Sequence, residues 1–235
     1  MPIALGTSLA AFGASTGNAI SADWTPSAND VVLLWISMRT TTIQVTVAGN
    51  NLTWTERLDV TEIGDAQSRG FMFSGAGAAP TTGAITVGAG ANIKPIGCIA
   101  QQFTGVDETT ADGIEASFAD SGDDPDSANM KTSLTTLTNN AWGVAGGQSR
   151  NAAFTVPAGE ISITINNIFG TGGDTQRVHM WYEEVASAGS ITVGADADLT
   201  SPPAPTDWIE CLVALKPDAG AAAFKVFKNL MGVGI

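Results

Sequence analysis

A seven-residue strand signal occurs twice in this chain, as Gly83-Ala84-Ile85-Thr86-Val87-Gly88-Ala89 and as Gly189-Ser190-Ile191-Thr192-Val193-Gly194-Ala195. Further matches flank both copies in the same order. An apolar stretch with a central methionine precedes each, Phe71-Met72-Phe73 and His179-Met180-Trp181, and an Ile-x-Cys follows each, Ile96-Gly97-Cys98 and Ile209-Glu210-Cys211. Upstream, Ile43-Gln44-Val45-Thr46-Val47 matches Ile161-Ser162-Ile163-Thr164-Ile165, and Asn29-Asp30 matches Asn139-Asn140. Chance matches in a chain rich in Thr, Val and Gly would not keep one order. An internally duplicated β unit is therefore expected, with halves at residues 20–110 and 130–217.

The signals between the echoes are those of strands. Val31–Met38 is a continuous apolar run of strand length, the pattern of a strand covered on both faces. Ile43–Val47 alternates and runs into Ala48-Gly49-Asn50-Asn51, a turn signal, before Leu52-Thr53-Trp54-Thr55 resumes, so residues 43–58 predict a hairpin. Further strands are predicted near 70–74, 84–88, 95–104, 114–118, 130–137, 141–148, 161–165, 177–184, 190–194 and 208–216. Helical periodicity is absent until the C-terminus. Charged residues make up 14% of the chain, well under the usual quarter or so, which disfavours a Glu- and Lys-rich helical bundle. The expected class is all-β: an antiparallel β-sandwich or jelly roll over residues 1–217. No Gly/Ser- or Pro-rich linker parts the halves, which favours one domain over two.

The net charge of −13 repels phosphate backbones, so no nucleic-acid partner is expected. No apolar run approaches a membrane span. Met1–Ala14 carries no Lys or Arg and is read as mature structure rather than a signal peptide. Two cysteines, Cys98 and Cys211, do not define a disulfide framework and are read as core thiols. The lone histidine, His179, sits in a predicted strand beside Met180, Trp181 and Tyr182 and reads as a packed residue. Residues 107–126 hold eight acids and no base. Their densest part, Asp120-Ser121-Gly122-Asp123-Asp124-Pro125-Asp126, reads as a solvated turn, with Ca²⁺ ligation as the alternative. No nucleophile elbow, phosphate loop or dinucleotide fingerprint occurs. No catalytic residue, cofactor or metal is expected, and the chain reads as non-enzymatic. Most of the six tryptophans fall inside predicted strands as core; exposure of several on one face would instead make a sugar platform.

Composition changes after Lys216-Pro217. Three of the five lysines lie from 216 onward, and Phe224, Phe227, Leu230 and Met231 recur at helical spacing as a short apolar stripe. Residues 218–235 are expected to form a short helix or arm. So short a helix needs a surface to dock on: its own domain, which it would cap, or a neighbouring subunit.

The order strand, Val47-Ala48-Gly49-Asn50-Asn51-Leu52-Thr53, aromatic strand, Pro80-Thr81-Thr82-Gly83-Ala84-Ile85-Thr86-Val87, then a long strand ending Phe103-Thr104-Gly105-Val106-Asp107, resembles a jelly-roll repeat seen in phage structural proteins and bacterial extracellular proteins. The resemblance covers residues 20–110, with its echo at 130–217. The second copy departs from it where Lys216-Pro217 replaces Phe-Thr-Gly-Val-Asp. It implies a virion component: a capsid cement or decoration protein, or a spike or tail-fibre module. The partners expected from it are protein subunits of a capsid or tail, with the chain a homo-oligomer. A carbohydrate-binding or adhesion module is the alternative.

Overall fold

The computed structural model describes residues 1–40, 42–62, 68–90, 94–107, 113–122, 129–150, 153, 156, 158–170, 175–198 and 208–218. Among them every regular element is a β-strand, and every strand pairing is antiparallel. One large sheet runs β1 (Ala4–Ser8), β9 (Ile96–Thr104), β4 (Val31–Met38), β7 (Arg69–Ala76) and β6 (Thr53–Thr61), with β2 (Phe12–Ala14) also on β9. The other runs β10 (Ile114–Gly122), β16 (Trp208–Leu215), β12 (Ala141–Arg150), β14 (Gln176–Val185) and β13 (Ile161–Phe169). Two small sheets complete the fold: β3 (Ala19–Ile20), β8 (Thr86–Gly88) and β5 (Thr46–Ala48); and β11 (Asn129–Thr135) with β15 (Ser190–Asp198).

The strand orders of the halves coincide. β9-β4-β7-β6 in one sheet stands as β16-β12-β14-β13 in the other. β1 flanks β9 as β10 flanks β16, and β3 pairs with β8 as β11 pairs with β15. The large sheets face each other across a central core of Val31, Leu33, Trp35, Met72, Ile99 and Phe103 from one, and Trp142, Val144, Val178, Met180, Cys211 and Val213 from the other. Each small sheet covers the outer face of its own large sheet. Ile85 and Val87 pack with Leu34, Ile36 and Phe71, and Ile191 and Val193 pack with Ala145, Trp181 and Leu212. This layering explains the unbroken apolar run of β4. Its odd positions face the central core and its even positions the outer one, so every residue of the strand is buried.

Strand glycines give clearance to large side chains of the facing layer. A Cβ on Gly146 would lie 2.7 Å from Trp35, and one on Gly70, on the neighbouring strand of Trp35's own sheet, would lie 2.3 Å from the same indole. The indole nitrogen donates to the Gly147 carbonyl at 3.0 Å, tying the two large sheets together. Phe169 makes the reciprocal crossing, against Gly97 and Gly13. A buried polar link accompanies these contacts. The Ser37 hydroxyl bonds Gln148 and, at 2.8 Å, the Gln176 carbonyl oxygen, while the Gln176 amide donates to the Ser37 and Pro95 carbonyls at 3.3 and 3.1 Å.

Three expectations are corrected. Gly49-Asn50-Asn51-Leu52 does form a tight turn, with φ of 58° at Asn50 and 54° at Asn51 and Leu52 N–H donating to the Gly49 carbonyl at 3.2 Å. The strands it joins do not pair, however: β5 pairs with β8 and β6 with β7, so the turn passes the chain from the small sheet to the large one. The match of Ile43–Val47 with Ile161–Ile165 joins unlike positions for the same reason, since β13 occupies the place of β6, not of β5. The paired Ile-x-Cys motifs are also out of step. Met72 aligns across the sheet with Trp35 and Ile99, whereas Met180 aligns with Gly146 and Cys211. Cys211 therefore faces the central core and Cys98 an outer one, because a one-residue slip reverses a strand's faces.

Candidate functional site

The second large sheet carries a row of polar side chains across its outer face. Register places His179 beside Gly147, Gly147 beside Glu210, and Glu210 beside Asp120. The missing Cβ at Gly147 makes this row possible: a methyl there would sit 2.3 Å from the His179 ring. That ring stacks on Trp181 with centroids 3.9 Å apart. From the covering small sheet, Gly194 adopts φ 80° and donates its N–H to the Glu160 carboxylate at 2.6 Å, and its Cα side lies against Glu210.

Both ionisable groups at the centre of the row are fully buried. Burial holds the His179 imidazole well below its ordinary value, so the ring is neutral. Burial also pushes the Glu210 carboxyl well above its ordinary value; polar groups of Thr132 and Trp181 pull it back, while Glu160 and Asp120 push it further up. Such a pair could serve acid–base chemistry if a substrate reached it. β11 and β15 close over it, so no substrate does in this conformation. Burial likewise raises the Cys98 and Cys211 thiols, which are free and inaccessible. Among the described residues no group of three or more His, Cys, Asp or Glu is placed to hold a metal ion.

None of the six tryptophans is exposed: Trp35, Trp142, Trp181 and Trp208 are buried, and Trp24 and Trp54 are half-buried. The acidic stretch divides. Asp107 is buried and takes a 2.6 Å bond from Lys216, and Glu115 accepts from the Leu137 and Thr138 amides at 2.8 and 3.2 Å. Asp123, Asp124 and Asp126 lie outside the described residues. Where the second copy departs from the motif, Lys216 pairs with Asp107 at the end of the first. Val106 bridges Pro217, Asp107 N–H donates to the Lys216 carbonyl at 2.8 Å, and the two chain segments that close the halves are clamped to each other.

Beside this clamp lies an open groove of ≈ 980 Å³. Met1, Pro2 and Ile3 form one wall, Lys216–Asp218 another, and Asn139, Trp142, Glu184 and Ala186 are among those closing it opposite. Trp142 stacks on Tyr182 with centroids 4.4 Å apart and an interplanar angle of 6°, and both rings belong to the central core. Asp218 is fixed at the rim: its N–H donates to Gly105 at 2.8 Å, and its carbonyl accepts from the Met1 nitrogen at 2.7 Å. The expected interaction residues Phe224, Phe227, Leu230 and Met231 lie outside the described residues. The groove was not legible in the sequence, because it joins residues 1–3, 138–140, 142, 184–186 and 216–218. No family model, curated protein or solved structure matches this chain.

Proposed function

We propose that this protein is a non-enzymatic structural component of a virion, a capsid cement or decoration protein or a related minor component, which attaches to a lattice of protein subunits through residues 218–235. The observation that carries this reading is the point of departure of that segment. Asp218, the last described residue, is hydrogen-bonded beside an open groove, and the sequence continues from there with an apolar stripe and two lysines, Lys225 and Lys228. Two further observations support it. The only histidine and the best-placed carboxylate are sealed in a core. The tryptophans that a sugar-binding module would display are packed away. The halves, with their coinciding strand orders, are read as copies of one duplicated jelly-roll unit. Subunits that share the lattice include further copies of this chain.

Fractionation of particles on a density gradient tests the proposal. The chain should band with the particles, and a chain lacking residues 219–235 should stay in the soluble fractions while keeping its cooperative unfolding transition. Absence of the intact chain from particles, or hydrolysis of a polysaccharide lost on changing Glu210 or Glu160, would overturn it.

A further inference from the structure

The two halves fill the layer beneath their small sheets differently. Across β14, β12, β16 and β10 the second half sets the row His179, Gly147, Glu210 and Asp120. The strands in the same places of the other large sheet, β7, β4, β9 and β2, set the row Phe71, Ile36, Cys98 and Phe12, buried in one apolar core with Ile85 and Val87 of the small sheet above. Such a layer is thus built without a carboxyl or an imidazole. The buried acid of the second half is no requirement of the packing, and a carboxyl kept in a core at a cost in stability points to a switch. We propose that Glu210 is a proton-operated latch on the β11–β15 sheet: while it carries its proton that sheet lies sealed on the large one, and loss of the proton to solvent lifts the sheet and uncovers Trp181 and Trp208. This stands apart from the attachment reading and does not rest on it.

The geometry around the carboxyl leads there. Glu210 is fully buried, and neither of its oxygens has a hydrogen-bond partner of ordinary geometry. The sheet above touches it at Gly194, where a Cβ would lie 2.9 Å from one carboxyl oxygen. Among the described residues the titratable groups that face it are His179 from β14, Asp120 from β10 and Glu160 ahead of β13. β12 brings Gly147, β11 brings Met130 and Thr132, β15 brings Gly194, and Lys131 of β11 is exposed. An ionised Glu210 would therefore be enclosed with two further acids and no facing cation, which a core does not tolerate. The cover is the element that can yield. It has two strands where its counterpart has three, and a two-stranded sheet is marginal by itself. Its ladder is already interrupted between Met130 and Thr132, beside Gly194. Apart from this row it is seated by Met130, Leu134, Ile191 and Val193 against Ala145, Trp181, Trp208 and Leu212. Burial raises the Glu210 carboxyl, so closure is favoured at low pH and weakens as pH rises above the ordinary 4.5.

Hydrogen exchange of the full chain, followed by peptide mass mapping over a pH series, tests this. The series runs well above the ordinary 6.5 of histidine, where His179 is neutral whether covered or not. Protection of β11 and β15, corrected for the intrinsic rise of exchange with pH, should fall by about tenfold for each pH unit, the slope of one released proton. Protection of β5 and β8 in the other small sheet should hold. Glu210→Gln, which cannot ionise, should keep β11 and β15 protected across the series, and so should Glu210→Leu, which gives the row an apolar side chain as in the other half. An equal fall in both small sheets, no fall at all, or the wild-type fall in either folded variant overturns the proposal. Where neither variant folds, the wild-type comparison of the two small sheets decides by itself.

Discussion

Single residues show how closely the two large sheets are matched. Gly146 is the position against which Trp35 rests, and an added methyl would need the indole to move where Gly70 blocks it from the other side. Gly146→Ala is expected to cost about 1–3 kcal/mol through overpacking, measured by urea denaturation. The cost should shrink in a Trp35→Leu background, because the two sites share one volume. Equal costs in both backgrounds would show that the indole is not the obstacle. Gly147 gives His179 the same clearance, and that ring sets part of the pH dependence. Glu210 has a raised folded-state value, so it stabilises the fold below its ordinary 4.5 and this contribution is lost as pH rises. His179 has a depressed one, so its contribution is present above its ordinary 6.5 and is lost as pH falls. The two groups therefore act in opposite directions, Glu210 weakening the fold toward alkaline pH and His179 toward acid pH. Glu210→Gln should lessen the alkaline decline and leave the acid side intact, as read from Tm against pH. A wild-type decline retained by Glu210→Gln would assign the alkaline loss to other groups.

At the scale of elements, the cross-sheet polar link is the most exacting feature. Ser37, Gln148 and Gln176 are all fully buried and come from β4, β12 and β14. Gln176→Ala strips the Pro95 carbonyl and the Ser37 hydroxyl of a partner. It should cost about 1–3 kcal/mol, the range for a buried polar group left unsatisfied; a loss well under 1 kcal/mol, seen by thermal unfolding, would mean that water replaces the amide. Elements also mark what the sequence could and could not reveal. β4 was legible because a strand buried on both faces reads as a near-continuous apolar run, and β9, β12 and β16 because few polar residues, Gln101 and Gln102, Gln148 to Arg150, and Glu210, interrupt theirs. β1, β2 and β3 were not anticipated, because they are two to five residues long and made largely of Ala, Gly, Thr and Ser, with no run or alternation to read. The turn at Asn50-Asn51 was legible from its residue types. Its partner strands were not, because turn chemistry fixes the local reversal but not which sheet each arm joins. The polar row of His179, Glu210 and Asp120 arises from register across four strands, and its one sequence trace is a charged or ionisable residue in the middle of an apolar run.

For the molecule as a whole, the central core decides cooperativity. Leu33, Trp35, Met72 and Phe103 of one half are buried only because Trp142, Val144, Met180 and Cys211 of the other lie against them. Separating the halves would expose both faces at once, so calorimetry should show a single transition; two resolved transitions would mean that each half stands on its small-sheet core alone. The clamp of Val106–Asp107 on Lys216–Pro217 works the same way, since the closing segment of each half is held by the other. The described residues end beside that clamp, at Asp218, and the proposal that this is a protein of assembly rests on the sequence of residues 219–235. Sedimentation velocity of the full chain across a concentration series, beside Phe227→Ser, tests it most directly. The account expects wild type to pass from a 24.0 kDa monomer to larger species as concentration rises, with Phe227→Ser remaining a folded monomer throughout. Self-association unchanged by Phe227→Ser, or a wild-type chain that stays monomeric at every concentration, would contradict it.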